Sequence, residues 1–169
     1  RRSSDLHNAQ QLYSYLASQW LGRDYAWDEP QTLPRTAIYH PVHANAQLKD
    51  WQAQWLVGQP VAALLFYRSH LQAANTAFVD VFCQRLQAAG LNPLPIAVAS
   101  LKEPACLDQV QAWLDDTDAA LIINTTGFAL SNPEAPQARV FRRDIPVLQA
   151  ICSLDNHAQW QASAQGLGS

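Results

Sequence analysis

The sequence has no methionine, not even at its first position, and it begins RRSS and ends GLGS. Such ends are expected of a piece cut from a longer protein, so a leader segment could have been removed. Nowhere do 18 apolar residues run together, which excludes a membrane-spanning helix and points away from any membrane partner. Charge is scarce as well. Only 15% of residues are charged, the net charge is −3 and the isoelectric point is about 5.9. No basic field exists to draw the chain to nucleic acid or to an anionic lipid surface. Cysteine is limited to Cys83, Cys106 and Cys152, an odd number without CxxC spacing. These are read as small buried hydrophobes in a reducing, cytoplasmic setting. No GxGxxG, Walker-type GxxxxGK, GxSxG or HExxH pattern occurs. Their absence disfavours a classical nucleotide-binding Rossmann domain, a P-loop ATPase and an α/β hydrolase.

What is present is 49% apolar sequence in 169 residues, enough for one domain with a proper core. The chain divides into an N-terminal helix and loop over 1–30 and a sheet-forming portion over 35–169. Asp5 can cap a helix running to about Leu21, with Leu12, Leu16 and Trp20 on one face and Gly22 as the stop. Thr36 to Tyr39 is a short strand ended by His40-Pro41. Leu48, Trp51 and Trp55 mark a helix. Val61 to Tyr67, seven apolar residues in a row, reads as a strand covered on both faces and placed at the sheet centre. A polar corner follows, then a helix from about Asn75 with Phe78, Phe82, Leu86 and Ala89 on one face and Gly90 as its stop.

Leu94 to Ala99 is a third strand, for which Pro95 argues an edge position or a strand start. Pro104 opens a helix with Leu107, Val110 and Leu114 on its apolar face. Ala119 to Ile123 and Ile145 to Ile151 are further strands, and a last helix begins at His157. This alternation predicts an α/β fold: a parallel sheet with helices on both faces, Rossmann-like or flavodoxin-like. If Val61 to Tyr67 is the first strand of a 2-1-3 arrangement, its neighbour is Ala119 to Ile123. The corners that follow these two strands then line one crevice.

Tyr67, Arg68, Ser69 and His70 end the most apolar strand, where open α/β sheets bind ligands. Arg68 can grip a carboxylate with two parallel hydrogen bonds, and His70 can move a proton near neutral pH. The alternative is structural: Arg68 paired with an acid such as Asp80, and His70 closing the turn. Asn75 and Thr76 are either helix caps or, with the exposed amides there, a carboxylate contact. Asn124, Thr125, Thr126 and Phe128 form a second strand-end cluster around Gly127. His40 and His43, with Pro41 between them, are read as surface loop and not as a metal pair. Arg139, Arg142 and Arg143 lie in a long segment that suits a lid or a partner-docking surface. Asp115, Asp116 and Asp118 are a solvated helix end.

At YRSHLQAANTAFVD (67–80) the sequence resembles the cobaltochelatase large subunit of CobN type, in the family that includes the magnesium-chelatase H subunit. IYHP (38–41), GLNPLPIAVASLK (90–102), NTTGFAL (124–130), IPVLQ (145–149) and a closing W-x-x-S with GL (160–167) follow the same order. Two departures stand out. Ala74 occupies a position where glycine is expected, and Val42 one where an acid is common.

The resemblance implies a much longer protein that binds a tetrapyrrole, hydrogenobyrinic acid a,c-diamide, and hosts cobalt insertion during aerobic cobalamin synthesis. It further implies two AAA+-type partner subunits that hydrolyse ATP with Mg, with Co2+ as a substrate and no cofactor held by this piece. No catalytic residue and no metal ligand is carried over, and the piece alone is expected to be inactive. A magnesium-chelatase-type porphyrin subunit and a scaffold that only docks the AAA+ subunits are the competing implications.

Overall fold

Seven consecutive apolar residues have no polar face to offer water, and the structure, a computed structural model, buries them in the middle of a sheet. It describes residues 3–29, 34–43, 45–127, 140–152 and 157–162. The elements in chain order are α1 (Ser3–Trp20), β1 (Thr36–Ile38), α2 (Leu48–Gln52), β2 (Val61–Tyr67), α3 (Arg68–Gln72) and α4 (Ala77–Ala88). Then come β3 (Asn92–Val98), α5 (Pro104–Asp116), β4 (Leu121–Asn124), β5 (Val147–Gln149) and α6 (His157–Ala162).

The five strands lie in the order β1-β3-β2-β4-β5. Strand β2 is central, pairs parallel with β3 and β4, and is buried from Val61 to Phe66. Burying Leu64, Leu65 and Phe66 contributes about 1.5–3 kcal/mol each. The α/β class is as expected, and counted from β2 the parallel strands follow the flavodoxin-like order 2-1-3-4. One refinement is needed: β1 is antiparallel to β3. Helix α2 has five residues, about 8 Å of rise. So short a helix is not a crossover of the kind that joins the parallel strands, and β1 ends at the edge where β2 begins.

Strand β3 is not at an edge, contrary to what Pro95 suggests. It lies between β1 and β2 and is buried throughout. Proline has no N–H to give, so a carbonyl on the facing strand needs another donor. Tyr39 continues the β1 register opposite Pro95, and its N–H donates to the Pro95 carbonyl at 2.9 Å. The Tyr39 carbonyl, which Pro95 cannot serve, accepts the indole N–H of Trp51 at 2.5 Å. Trp55 Nε1 likewise donates to the Pro93 carbonyl at 3.0 Å. Two tryptophans four residues apart thus supply the hydrogen bonds that β1 and the prolines leave open.

The polar corner after β2 is itself a helical turn, α3, and α4 begins two residues later than Asn75. Between them the Asn75 N–H bonds the His70 carbonyl and the Ala74 N–H bonds the Leu71 carbonyl, a Schellman ending. Its left-handed residue is Ala74, at φ +53°, which explains why glycine is at home there. The same ending closes α4 at Gly90 (φ +78°) and α5 at Asp118 (φ +48°). The buried face of α4 is Val79, Cys83 and Leu86, with Phe78 and Phe82 only half-buried beside it. Burial pushes the Cys83 thiol up to about 12. Cys106 is buried too, whereas Cys152 is exposed and departs from the expectation of a core cysteine. The expected apolar face of α1 is largely open to solvent, with Trp20 80% exposed.

A left-handed alanine costs roughly 1–2 kcal/mol, which glycine avoids at a smaller entropic cost. Ala74→Gly is therefore expected to stabilise the fold by about 1 kcal/mol, seen as a higher urea midpoint at unchanged slope. Trp51→Phe keeps an aromatic ring but removes the N–H together with the pyrrole half of the indole. It should lower stability by roughly 1–3 kcal/mol in the same measurement, because a buried carbonyl loses its donor.

Candidate ligand-binding edge of the sheet

Because β3 and β4 lie on opposite sides of β2, the chain leaves β2 toward one side and later returns on the other. The carboxyl end of β2 beside β4 is therefore the switch point of the parallel sheet. The residues there come from the two corners singled out in the sequence. Tyr67 is the last residue of β2, and its phenol oxygen accepts the Gly127 N–H at 2.9 Å. A Cβ on Gly127 would stand 3.0 Å from that oxygen. Thr125 joins the same corner, its N–H and hydroxyl both donating to the Leu65 carbonyl at 2.9 Å.

Asn124 and Thr126 are drawn inward instead. Asn124 is fully buried, and its Oδ1 accepts the Thr126 N–H at 3.1 Å and the Thr126 hydroxyl at 2.7 Å. Its amide donates to Gln149 Oε1 at 2.8 Å, and Gln149 Nε2 returns a bond to the Thr126 carbonyl at 2.9 Å. This closed ring of amides locks the turn to β5. Phe128 and Arg139 lie outside the described residues.

On the α3 side, Ser69 is exposed while Arg68 and His70 are half-buried. Arg68 Nη1 donates to the Pro34 carbonyl at 3.3 Å, and the His70 ring meets Phe78 edge-to-face at 4.8 Å. The acid offered as a structural partner for Arg68, Asp80, accepts the Tyr39 hydroxyl at 2.6 Å. Asn75 is exposed. Thr76 is the cap residue of α4, yet its side chain does not cap and lies 3.0 Å from the Tyr39 hydroxyl. Thr76 and Asp80 therefore fasten α4 to β1. Arg142 and Arg143 pair with Asp108 and Asp118, which ties residues 140–144 to α5. Asp115, Asp116 and Asp118 are exposed or nearly so, as a solvated helix end requires.

Arg35 and Glu103 were not singled out by sequence. They form a two-pronged ion pair 68 residues apart in the chain, at the same carboxyl edge. The hydrogen bond from Arg35 holds the Glu103 carboxyl below its usual range, against a smaller effect of burial. The Cys106 hydrogen bond and the charges of Arg35 and Arg68 act with it. Arg35 and Arg68 are thus the two cations that act on this carboxylate. The register that brings Arg35 opposite Ala99 is tertiary, so no local spacing announces the pair.

His40 is buried and not on a surface loop, correcting that expectation. Its Nδ1 accepts the N–H groups of Val42 at 3.1 Å and His43 at 3.3 Å, which places the ring proton on Nε2, so the Gln54 amide 2.7 Å away must turn its oxygen to the ring to accept it. The lone pair that a metal would need already serves the turn. Among the described residues, no group of three or more His, Cys, Asp or Glu side chains is arranged to hold a metal ion.

The family model described as CobN/Magnesium Chelatase matches residues 2–169. The chain belongs to the CobN/magnesium chelatase family. It is 68% identical over 167 residues to the aerobic cobaltochelatase subunit CobN of Pseudomonas aeruginosa, covering 99% of this chain and 13% of that protein. It is 25% identical over 174 residues to the magnesium-chelatase H subunit of Rhodobacter capsulatus, covering 95% of this chain and 14% of that protein. Among solved structures, it is similar to the catalytic subunit of cobaltochelatase from Mycobacterium tuberculosis. The TM-score is 0.62 at 26% identity, over 96% of this chain and 14% of that one. Two strings that carry the family resemblance, IYHP and NTAFVD, prove to be wired together through Tyr39, Thr76 and Asp80.

In this family member, burial holds His40 below its ordinary value of 6.5, with His43 adding to the depression and Asp50 opposing it. The native state therefore keeps His40 neutral, while the unfolded chain takes up a proton near pH 6.5. Its contribution is complete above that pH and is lost as pH falls from there toward the folded value. Urea titrations at pH 7.5, 6.5 and 5.5 should show that decline, and His40→Gln should make it shallower.

Proposed function

We propose that this chain is a portion of the large, tetrapyrrole-binding subunit of an ATP-dependent cobaltochelatase. The complete subunit would host insertion of Co2+ into hydrogenobyrinic acid a,c-diamide in aerobic cobalamin synthesis, in the cytoplasm. The observation that carries this reading is the 68% identity to the Pseudomonas cobaltochelatase subunit, against 25% to the magnesium-chelatase subunit. The same contrast ranks a porphyrin-specific magnesium chelatase second. ATP and Mg would be handled by two AAA+-type partner subunits, and the isolated piece would insert no metal.

Within the subunit, the carboxyl edge around Tyr67, Arg68, Ser69, His70 and Thr125 would meet the rim of the tetrapyrrole. A corrin precursor is an apolar disc edged with carboxylates and amides. Arg68 offers a planar donor to carboxylates, whereas Glu103 already engages Arg35. Tyr67, 38% exposed, offers an aromatic face held in place by Gly127. Asn75 and Thr76 at the α4 start, and the Asn124–Gly127 turn, would support or extend that contact. Docking of the AAA+ subunits through Arg139, Arg142 and Arg143 has less support, because Asp108 and Asp118 already engage the latter two.

The test is an absorbance titration of the full-length subunit with hydrogenobyrinic acid a,c-diamide, for the native protein and for Arg68→Ala and His70→Ala variants. A lost charge-assisted hydrogen bond is worth about 1.5–3 kcal/mol, so Arg68→Ala should weaken binding roughly tenfold or more. Unchanged affinity in both variants would remove the site from this edge. Absence of any saturable shift in the native subunit would refute the tetrapyrrole reading itself.

A further inference from the structure

Strand β5 is exposed in a way that the other parallel strands are not. β2 and β3 are buried along nearly their whole length, and β4 from Ile122 to Asn124. All three residues of β5 are exposed, with Val147 at 41% and Leu148 at 55%, and Ile151 just beyond it is 55% exposed. Parallel strands owe their stability to cover on both faces, and a bare apolar edge invites pairing.

Among the described residues, no strand pairs with the outer edge of β5. The Ile122 N–H donates to the Pro146 carbonyl and the Ala150 N–H to the Asn124 carbonyl, each at 2.9 Å. Residues 146 and 150 thus point their main chain at β4. By the alternation of a strand, the main-chain groups of Val147 and Gln149 point away from it.

Topology says what belongs there. The parallel strands stand in the order 2-1-3-4, and the next place in a doubly wound sheet of that order is beside β5. Helix α6 follows β5 in the chain, where a right-handed crossover to that place needs a helix. The relatives have ample further chain, since this sequence covers 13% of one and 14% of another.

We propose that in the full-length subunit the segment following residue 169 contributes a strand parallel to β5, extending the sheet to 2-1-3-4-5 and covering Val147, Leu148 and Ile151. The occupant is therefore the subunit's own chain, not an ATPase partner and not a second copy.

Two measurements on the full-length subunit test this. Hydrogen exchange of the Val147 and Gln149 amides should be slowed by about 100-fold or more relative to an unstructured peptide, independently of concentration and without partner subunits. Photo-cross-linking from p-benzoylphenylalanine installed at Leu148 should then map to residues after 169 of the same molecule. Unprotected amides in the lone subunit would overturn the proposal. So would protection that appears only with rising concentration or added partner, or cross-links to another subunit or to any other part of the chain.

Discussion

Everything in this fold follows from the need to bury β2 without stranding its main chain. Six of its seven residues are buried, and each carries a donor and an acceptor that must be paired. Only a strand on each side can do that, so β3 and β4 must flank it. Helices then have to cover both faces. Because the chain leaves toward β3 and returns at β4, a crevice opens at the carboxyl end of β2. The candidate site is a consequence of how the core is buried, and Tyr67 sits where the two requirements meet.

A second theme is repair of the main chain by side chains. Pro93 and Pro95 would ordinarily keep a strand out of a sheet interior. Here Trp51 and Trp55 supply the donors around them, and Asn92 braces the 56–59 turn with bonds to Leu56 and Gln59. Near the switch point, Asn124, Thr126 and Gln149 close a ring of hydrogen bonds that fixes the exit toward β5. Rigid corners of this kind are what a binding edge requires, since a displaced donor loses its ligand.

The charge distribution adds direction. The chain is acidic overall, yet its carboxyl edge brings Arg35 and Arg68 to Glu103. A local reversal of sign against the net charge is a binding argument that composition alone cannot make. Joined to membership of the CobN/magnesium chelatase family, it gives the proposed contact with a carboxylate-edged macrocycle a physical basis. The outer edge of β5 describes the same piece from the other side, as a sheet whose next strand lies elsewhere in the chain.

Much of this was legible in one dimension. The run from Val61 to Tyr67 announced a central strand because no alternation relieves it. Gly90 and Pro104 marked helix ends because backbone geometry leaves them few other places. The strings around 67–80 pointed to the family, and even Ala74 stood out where the structure needs a left-handed residue. What the sequence could not reveal were facts of register and distance. Pro95 reads as an edge residue until Trp51 is placed against Tyr39, and His40 reads as surface until two N–H groups converge on its ring. Arg35 meets Glu103 only because β1 runs antiparallel to β3. Local pattern determined which segments form strands and helices, since periodicity and backbone preference act over a few residues. Tertiary structure decided which side chains pair across the sheet and which are buried, since partners such as Arg35 and Glu103, or Trp55 and Pro93, lie tens of residues apart.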